Sequence, residues 1–598
     1  MRQARWKWAL CLMPLSAMAQ ADDEAGAQAN TDNAQVLQAW QAQTGQPVWL
    51  NGAGEVEFHG EMSVEAYGQR VHGPRPPTDQ EAAAQQADPL RVLVPHTSGD
   101  YGRAVFKGDL RTTSPEEDVT YLQMVATGTN DRAVQSRYAT QFNSLQTGRA
   151  GPGYQIALGD VVAGFSGLSS NLGLRGVLLA RQFEQATLTG FGGTVAESWE
   201  SLLNRHALDG QPPRTQPLRD VLGAKLEYAL TRTLATFATV QTWDYRLGAV
   251  APAAASPWGN PLGINRSDGW SSSVGARYAE GTAQLSLEWA KSYQKAPDGG
   301  ARQGGSAYAI DASYRWERFG VRAGAHNLGG TFGSLAQAVA TGMRDWYLGT
   351  DWSLTPQLSW SVELRNTLTR GLLQAVPPAL PGQPVLPPAL SDMDSLTQRL
   401  NYNVASLPGL ALALTDTRSR SKDGTGARQE NDQTQASISY ATGPWSLQGS
   451  GGLGRTSASL TPAYDGRLRN WQLGVGRSFD NGNPEVPASW TVSTYLFVGG
   501  QTQTLATGRN ESTSLGLTVS AQMARWGQLS LTLQQQHTQQ PVAGAPGLRS
   551  SNLGFDWTCA VTPQWSLRAY ARAQRFNQGS ATLAADERVA GVSAGYKW

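Results

Sequence analysis

From Glu55 to Trp598 the chain alternates apolar and polar residues with period two, and this alternation limits the fold more than any other feature. A period of two places successive side chains on opposite faces of a β-strand. Four clear examples are Leu222–Leu230, Gln284–Trp289, Leu358–Arg365 and Trp565–Gln574. Each segment has one apolar face and one polar face. The pattern therefore predicts an all-β fold of long amphipathic strands.

The connections between these segments alternate between short and long. Short turns such as Thr231-Arg232, Glu280-Gly281 and Thr562-Pro563 are separated by longer connections such as Ala249–Ser267 and Gly371–Ser391. A soluble sandwich has no reason to alternate in this way. A transmembrane β-barrel does, because its periplasmic turns are short and its extracellular loops are longer.

The number of strands follows from counting back from the last one, about Arg588–Trp598. The count predicts a single large transmembrane antiparallel β-barrel of about 24–26 strands, formed by residues 55–598. The first two strands, Glu55–Gly68 and Tyr101–Thr112, are the less regular ones, because the long connection Gln69–Gly99 separates them. An even count places the N-terminus in the periplasm.

The N-terminal residues have the order of a secretory signal peptide. Arg2, Arg5 and Lys7 precede the short apolar stretch Trp8–Leu15, and Ala17-Met18-Ala19 supplies a small-residue cleavage site. Residues 1–19 are thus predicted to be removed on export. Residues 20–54 are predicted to form a short polar periplasmic segment with one helix near Asn33–Thr44.

Composition agrees with a membrane barrel and excludes several other classes. Only 16% of residues are charged, where a soluble protein averages about 25%. The 20 Trp and 18 Tyr exceed the 13 Phe, as expected for aromatic girdles at two membrane interfaces. No apolar run after the N-terminus is long enough for a membrane helix. The near-neutral charge predicts no nucleic-acid partner.

The last strand ends in a terminal aromatic residue with apolar residues alternating behind it. Its apolar face comprises Val592, Ala594, Tyr596 and Trp598. This pattern resembles the assembly signal of Gram-negative bacterial outer-membrane β-barrel proteins. The resemblance implies location in the outer membrane. It also implies contact with outer-membrane lipid and lipopolysaccharide, and recognition by the barrel-assembly machinery.

A second resemblance lies in residues Leu158–Arg181. Gly159-Asp160, followed by Leu174-Arg175-Gly176, resembles a segment near the start of chaperone–usher secretion barrels. The separate terminal domains of ushers have no room beside 24 strands in this chain. The resemblance therefore points to a large usher-like or porin-like barrel without identifying its family.

The sequence has few motifs that would indicate catalysis or metal binding. The six histidines have no metal-ligand spacing, and Cys559 is the single cysteine after the signal peptide. Gly164-Phe165-Ser166-Gly167 is similar to part of a nucleophile elbow, but it lacks the final glycine and falls at a hairpin tip. We therefore expect no enzymatic activity, no cofactor, and no catalytic or metal site.

The polar faces of the strands carry charges of both signs. They are expected either to line a hydrated conduit or to brace the wall as cross-strand ion pairs, and the two roles are compatible. The candidate lumen-lining residues are Lys225, Glu227, Glu288, Asp311, Arg315, Glu363, Arg365, Arg568 and Arg572.

Two functions fit this sequence. The first is a conduit for the export or passage of a macromolecule, polysaccharide or protein, or of solutes. The second is a non-conducting structural or surface-display barrel that scaffolds a periplasmic or secreted partner. A barrel this wide would leak if it were empty. Residues 20–54, an inward fold of Gly371–Ser391 or Ala249–Ser267, or a partner are therefore expected to fill it.

Overall fold

The computed structural model describes most of the predicted barrel. The described residues are 55–73, 97–114, 118–131, 139–196, 199, 202, 218–246, 268–295, 302–336, 342–370, 390–423, 426–459, 465–480, 490–505, 508–539, 547–577 and 585–598. The predicted signal peptide, the segment 20–54 and its helix lie outside these residues, as do 249–267 and 371–389 of the two Pro-rich loops.

Within the described residues the chain forms 27 β-strands, of which β14 was not predicted by the alternating pattern. Their bounds are β1 Glu55–His72, β2 Gly99–Thr113, β3 Val119–Thr129, β4 Thr140–Gly151, β5 Tyr154–Gly164, β6 Ser170–Gln182, β7 Ala186–Val195, β8 Leu218–Ala229, β9 Leu234–Arg246, β10 Asp268–Glu280, β11 Ala283–Lys295, β12 Gln303–Arg315, β13 Phe319–Leu328, β14 Leu335–Ala336, β15 Met343–Thr355, β16 Leu358–Arg370, β17 Leu390–Asn403, β18 Leu410–Asp423, β19 Arg428–Thr442, β20 Trp445–Ala458, β21 Gly466–Asp480, β22 Trp490–Leu505, β23 Gly508–Met523, β24 Gly527–Gln539, β25 Leu548–Ala560, β26 Trp565–Asn577 and β27 Ala585–Lys597.

All strands except β14 join one closed antiparallel barrel of 26 strands. Each strand pairs with the next in sequence, β13 pairs directly with β15, and β1 pairs with β27. At this seam Val64 lies opposite Ala594. Closure leaves no free sheet edge at the seam, as backbone groups in hydrocarbon require. The predicted all-β barrel is confirmed, with a strand count at the upper end of the expected range.

The apolar face of the barrel points outward and is exposed. One row across five neighbouring strands shows this, with Leu226, Ala238, Val274, Trp289 and Tyr308 in register. The four larger side chains of this row are exposed. A continuous exposed apolar band is what a barrel presents to lipid. The chain thus has the architecture of an outer-membrane β-barrel.

The C-terminal residue closes the seam with both its backbone and its ring. The Trp598 N–H donates to Gly60 O, and the Gly60 N–H donates to Trp598 O, both at 3.1 Å. The indole packs beside Phe58 and Phe106, with ring centroids 5.8 and 5.9 Å away, and beside Tyr596. The role of this segment as an assembly signal stays a prediction.

No helix in the described part of the chain is long and apolar enough to cross a membrane.

Candidate functional site

One hairpin of the barrel leaves the wall. The pairing of β5 with β4 ends at Gly159, opposite Gln146, and the pairing of β6 with β7 ends at Arg175, opposite Thr194. Beyond these points β5 and β6 continue to pair with each other as far as Gly164. Residues 160–175, called here the inward hairpin, therefore separate from both neighbouring strands and fold over the polar face of the sheet.

The exit point is built from a glycine and a partly buried ion pair. Gly159 has a φ of +108°, and a Cβ there would lie 2.1 Å from Leu145 O. The Asp160 carboxylate accepts the Leu145 N–H at 2.6 Å and the Trp199 indole N–H at 2.7 Å. It also pairs with Arg175 Nε at 3.3 Å. Asp160 therefore replaces strand-to-strand hydrogen bonds that are lost where the hairpin departs.

The inward hairpin packs against the inner wall as a second sheet layer. Its buried apolar side chains meet Phe191, Val221 and Trp243 of the wall. The rings of Phe165 and Phe191 are 4.8 Å apart, edge to face. Face-to-face packing of two sheets buries apolar side chains between them. This explains a hydrophobic core inside a lumen whose face is otherwise polar. The hairpin contributes Val161, Ala163, Phe165, Leu172 and Leu174, and Ala157 and Leu178 of the adjoining wall strands join the same cluster.

The tip of the hairpin is held by a carboxylate of the barrel wall. Glu288 on β11 accepts the hydroxyl of Ser166 and, at 3.3 Å, the backbone N–H of Leu168. The Ser166 and Ser169 hydroxyl oxygens are 2.5 Å apart. Both serines and Glu288 are buried. Ser166, the serine of the incomplete nucleophile motif, is therefore a tip contact that binds Glu288.

The connection between β13 and β15 covers the tip from the other side. Residues 329–336, called here the inner loop, include β14, in which Leu335 pairs in parallel with Ser170 of β6. The Ser334 hydroxyl contacts the carbonyl oxygens of Leu168 and Ser169 at 2.7 and 2.5 Å. Phe332 is completely buried. The inward hairpin and the inner loop together form the constriction.

The predicted charged residues lie on the polar face, and the structure brings several of them into pairs. Glu227 accepts Lys225 at 2.8 Å and approaches Arg277 at 3.6 Å. Glu363 pairs with Arg322 at 2.7 Å. The Lys225 contact joins two positions of one strand, and the Arg277 and Arg322 contacts each reach across one intervening strand. They favour a bracing role for the pairs.

A denser cluster surrounds Asp345, which sequence reasoning did not single out. Arg365 donates to both of its carboxylate oxygens, at 2.9 and 3.1 Å, and Thr367 donates at 2.8 Å. His326 lies between Asp345 and Asp311, with Nδ1 3.6 Å from the former and Nε2 3.0 Å from the latter. Asp345 is only 1% exposed, so these donors offset the cost of burying its charge.

The remaining candidates lie farther round the barrel. Arg568 forms a two-nitrogen contact with Asp556, at 2.9 and 2.5 Å. Arg315 lies opposite Gly320, and Arg572 lies opposite Gly554. A lumen-lining role for all of these residues stays a prediction. Among the described residues, no three histidine, cysteine or acidic side chains gather as a metal site would require.

The sequence predicted the wall but not the constriction. The fillers expected were residues 20–54, a Pro-rich loop or a partner, all outside the described residues. The filler that the structure shows is the barrel's own hairpin and inner loop. A signal was present, because Val161-Val162-Ala163 breaks the alternation. Val161 and Ala163 pack against the wall, whereas Val162 between them is exposed.

Comparisons with known proteins returned structures but no family. No protein-family profile matches the chain, and no curated protein matches it. The translocation pore of the P pilus usher PapC is similar at 11% identity and a TM-score of 0.39, covering 90% of this chain and 99% of that one. OpdO of Pseudomonas aeruginosa is similar at 12% identity and a TM-score of 0.31, covering 67% and 97%.

A third similar structure is a P pilus tip assembly intermediate of E. coli, PapC-PapD-PapK-PapG. It has 11% identity and a TM-score of 0.42, and the match covers 92% of this chain and 62% of that one. The fold of the present chain is established by its own strand pairing.

Proposed function

We propose that this chain forms a gated conduit in the outer membrane through which a macromolecule passes, without enzymatic activity of its own. The observation that carries the proposal is the constriction: a barrel of 26 strands holds an inner layer made from its own hairpin and loop. Barrels of 16–18 strands already leave an aqueous channel. A wider lumen without an internal obstruction would leak, so a removable obstruction suits a macromolecular conduit.

The contacts of the constriction suit a gate that moves. The tip is held by a few polar contacts to Glu288 and Ser334, which a passing cargo can exchange for its own. On β4, residues beyond Leu145 keep their pairing with β3 but not with β5. An unpaired edge in hydrocarbon is costly. Return of the hairpin to β4 would satisfy this edge and widen the lumen.

The proposal also includes partners in the membrane and in the periplasm. The outward apolar band contacts outer-membrane lipid and lipopolysaccharide, and the terminal strand is recognised by the barrel-assembly machinery. Residues 20–54, the predicted periplasmic segment, would recruit a periplasmic or secreted partner that delivers the cargo. These assignments belong to the proposal.

Planar-bilayer conductance of the purified barrel tests the gate. We expect the wild-type protein to show a low conductance with rare larger steps. Phe332→Ala combined with Glu288→Ala should raise the frequency of the larger steps at least about ten-fold, because it removes both the buried ring and the tip acceptor. Ser361→Ala, on the polar face away from the constriction, is the control. If neither the wild type nor the double variant conducts, the conduit hypothesis is wrong and the non-conducting scaffold is favoured.

A further inference from the structure

Part of the lumen wall is uncharged. On the polar face of β19–β24, the residues in register with Gln435, Ser437, Ser439 and Ala441 of β19 form four successive rows, called here the amide wall. One row illustrates its composition: Ser437, Ser450, Gln472, Gly499, Ser514 and Gln536. In the four described rows every residue is Gly, Ala, Ser, Thr, Asn or Gln, except for two aromatic residues.

The contrast with strands β8–β16, called here the charged arc, is sharp. The polar faces of β8–β16 carry the ion pairs Lys225–Glu227, Arg322–Glu363 and Arg365–Asp345. Bracing of a wide wall by cross-strand charges would serve β19–β24 equally well, yet these strands use amides and hydroxyls instead. Their composition is therefore not a requirement of barrel stability alone.

The two aromatic residues of the amide wall lie flat against it. A Cβ on Gly474 would lie 2.1 Å from the Tyr495 hydroxyl oxygen, and a Cβ on Gly516 would lie 2.0 Å from the Phe497 ring. Each ring therefore covers a glycine on the neighbouring strand and turns its other side to the lumen. The ring centroids are 6.2 Å apart. Together they form an apolar platform among amides.

The amides of this wall are accessible to a ligand. The side chains that matter are exposed, namely Gln435, Gln448, Gln472, Gln501, Gln534 and Gln536. Within the described residues, two of them make a side-chain hydrogen bond: Gln448 accepts Tyr495 at 3.1 Å, and Gln536 donates to Ser512 at 3.3 Å. Each amide offers two donors and one acceptor, so most of the bonding capacity remains for solvent or cargo.

We infer that the amide wall is a binding track for an uncharged polysaccharide, which would be the cargo of the proposed conduit. A sugar hydroxyl both donates and accepts, and an amide side chain does the same, so the two match without any ionic charge. The C–H face of a pyranose ring packs on an aromatic platform such as Tyr495 and Phe497. Successive strands are about 4.8 Å apart, comparable to the length of one sugar unit, so a sugar chain lying along a row passes one residue of the wall at about every unit.

Cargoes that carry charges match the amide wall less well than an uncharged polysaccharide does. An acidic polysaccharide would be recognised by cations, and a basic one by carboxylates, but the amide wall supplies neither in its described rows. An unfolded polypeptide carries charged side chains of both signs, for which the wall again has no counterpart. Uncharged hydrogen-bonding groups bind each sugar weakly, and weak binding at many sites is what permits movement along a conduit.

The test is block of the ion current through single barrels in a planar bilayer, and it rests on the proposed conduit. The probes are three uncharged oligosaccharides, from dextran, cellulose and chitin. Dextran sulfate and an unfolded peptide of similar length are tested in the same way as charged alternatives. We expect the uncharged probes to block the wild-type current. In the double variant Tyr495→Ala/Phe497→Ala, the mean duration of a blocking event should shorten at least about five-fold.

Two further variants separate binding from folding. Gln472→Leu/Gln501→Leu removes amides without touching the platform and should also shorten the block. Ser313→Ala/Ser361→Ala, on the charged arc, should leave it unchanged. Heat-modifiable migration on gels shows which variants have folded.

The outcomes distinguish this inference from the conduit itself. If the wild-type barrel conducts and only dextran sulfate or the peptide blocks it, the inference is wrong while the conduit stands. If the barrel does not conduct, the conduit fails, and saturation-transfer NMR with the same uncharged oligosaccharides decides the track. Saturation transfer from the wild-type barrel to the oligosaccharide that is lost in Tyr495→Ala/Phe497→Ala supports the binding track. Absence of saturation transfer with the wild type overturns the binding track.

Discussion

At the residue scale, three acids on the inner side of this barrel each accept hydrogen bonds from more than one donor. Asp160 holds the exit of the inward hairpin, Glu288 holds its tip, and Asp345 lies beneath Arg365. A buried carboxylate without donors would be very costly, so each of these acids is tied to specific partners. Of these three acids, the alternating pattern singled out Glu288 as a candidate for the lumen face. Their partners came from the register, which the sequence does not reveal.

Removing the main donor of a buried acid should cost far more than removing that of an exposed one. Arg365→Gln leaves Asp345 buried without its cation and should lower the free energy of unfolding by about 3 kcal/mol or more. Asp556 is 37% exposed, so Arg568→Gln should cost at most about 1 kcal/mol. Urea unfolding followed by tryptophan fluorescence measures both. Equal losses would contradict the assigned roles.

The glycine at the exit of the hairpin is expected to be intolerant of substitution. Gly159→Ala introduces a Cβ at a positive φ and against Leu145 O, so it should cost about 1–3 kcal/mol. Gly173 of the same hairpin has open space around it, and its backbone is outside the left-handed region. Gly173→Ala should therefore be nearly neutral. A neutral Gly159→Ala in the same unfolding assay would be evidence against the exit geometry.

At the element scale, period two predicted the strands and the chain's short and long connections predicted their direction. Both follow from one physical cause, a wall with lipid on one side and water on the other. The inward hairpin was missed because its pairing within β5 and β6 is the same whether it stands in the wall or inside it. The two-residue β14 is too short to leave a periodic signal, and its place depends on contacts with β6.

The inner loop and the hairpin tip should be close enough to be linked covalently. Ser334 bonds to the backbone of Ser169, so Ser169→Cys/Ser334→Cys, made with Cys559→Ser, should form a disulfide in isolated outer membranes. Non-reducing gels of the unfolded protein would show the faster-migrating linked form. Ser313→Cys/Ser334→Cys, with one cysteine moved away from the tip, should remain unlinked. Failure of the first pair to link would place the inner loop elsewhere.

At the scale of the whole molecule, the account describes one closed wall with an obstruction made from the same chain. Closure satisfies every strand edge at the seam, where Trp598 meets Gly60. The obstruction packs against β7–β9 of the wall, whereas the amide wall is formed by β19–β24. The wall could be predicted from sequence because its pattern repeats, whereas the obstruction occurs once and depends on contacts between residues far apart in the chain.

The seam at the C-terminus should be sensitive to added bulk on its partner strand. A Cβ on Gly60 would lie 2.1 Å from the Trp598 ring, so Gly60→Val should displace the ring and weaken closure. We expect less heat-modifiable barrel in the outer membrane, measured on unheated gels. Gly102→Val on β2, where a Cβ meets only Glu65 O at 3.9 Å, is the control. Wild-type amounts of folded Gly60→Val would argue against the seam as described.

The central claim is that the constriction gates a conduit, and reversible linkage of its two parts tests this most directly. The measurement is single-barrel conductance of Ser169→Cys/Ser334→Cys in the Cys559→Ser background, before and after reduction. The oxidised barrel should stay at the low level, and reduction should restore transitions to the larger one. Identical traces in the two states, or no ion flow in either, would contradict the account.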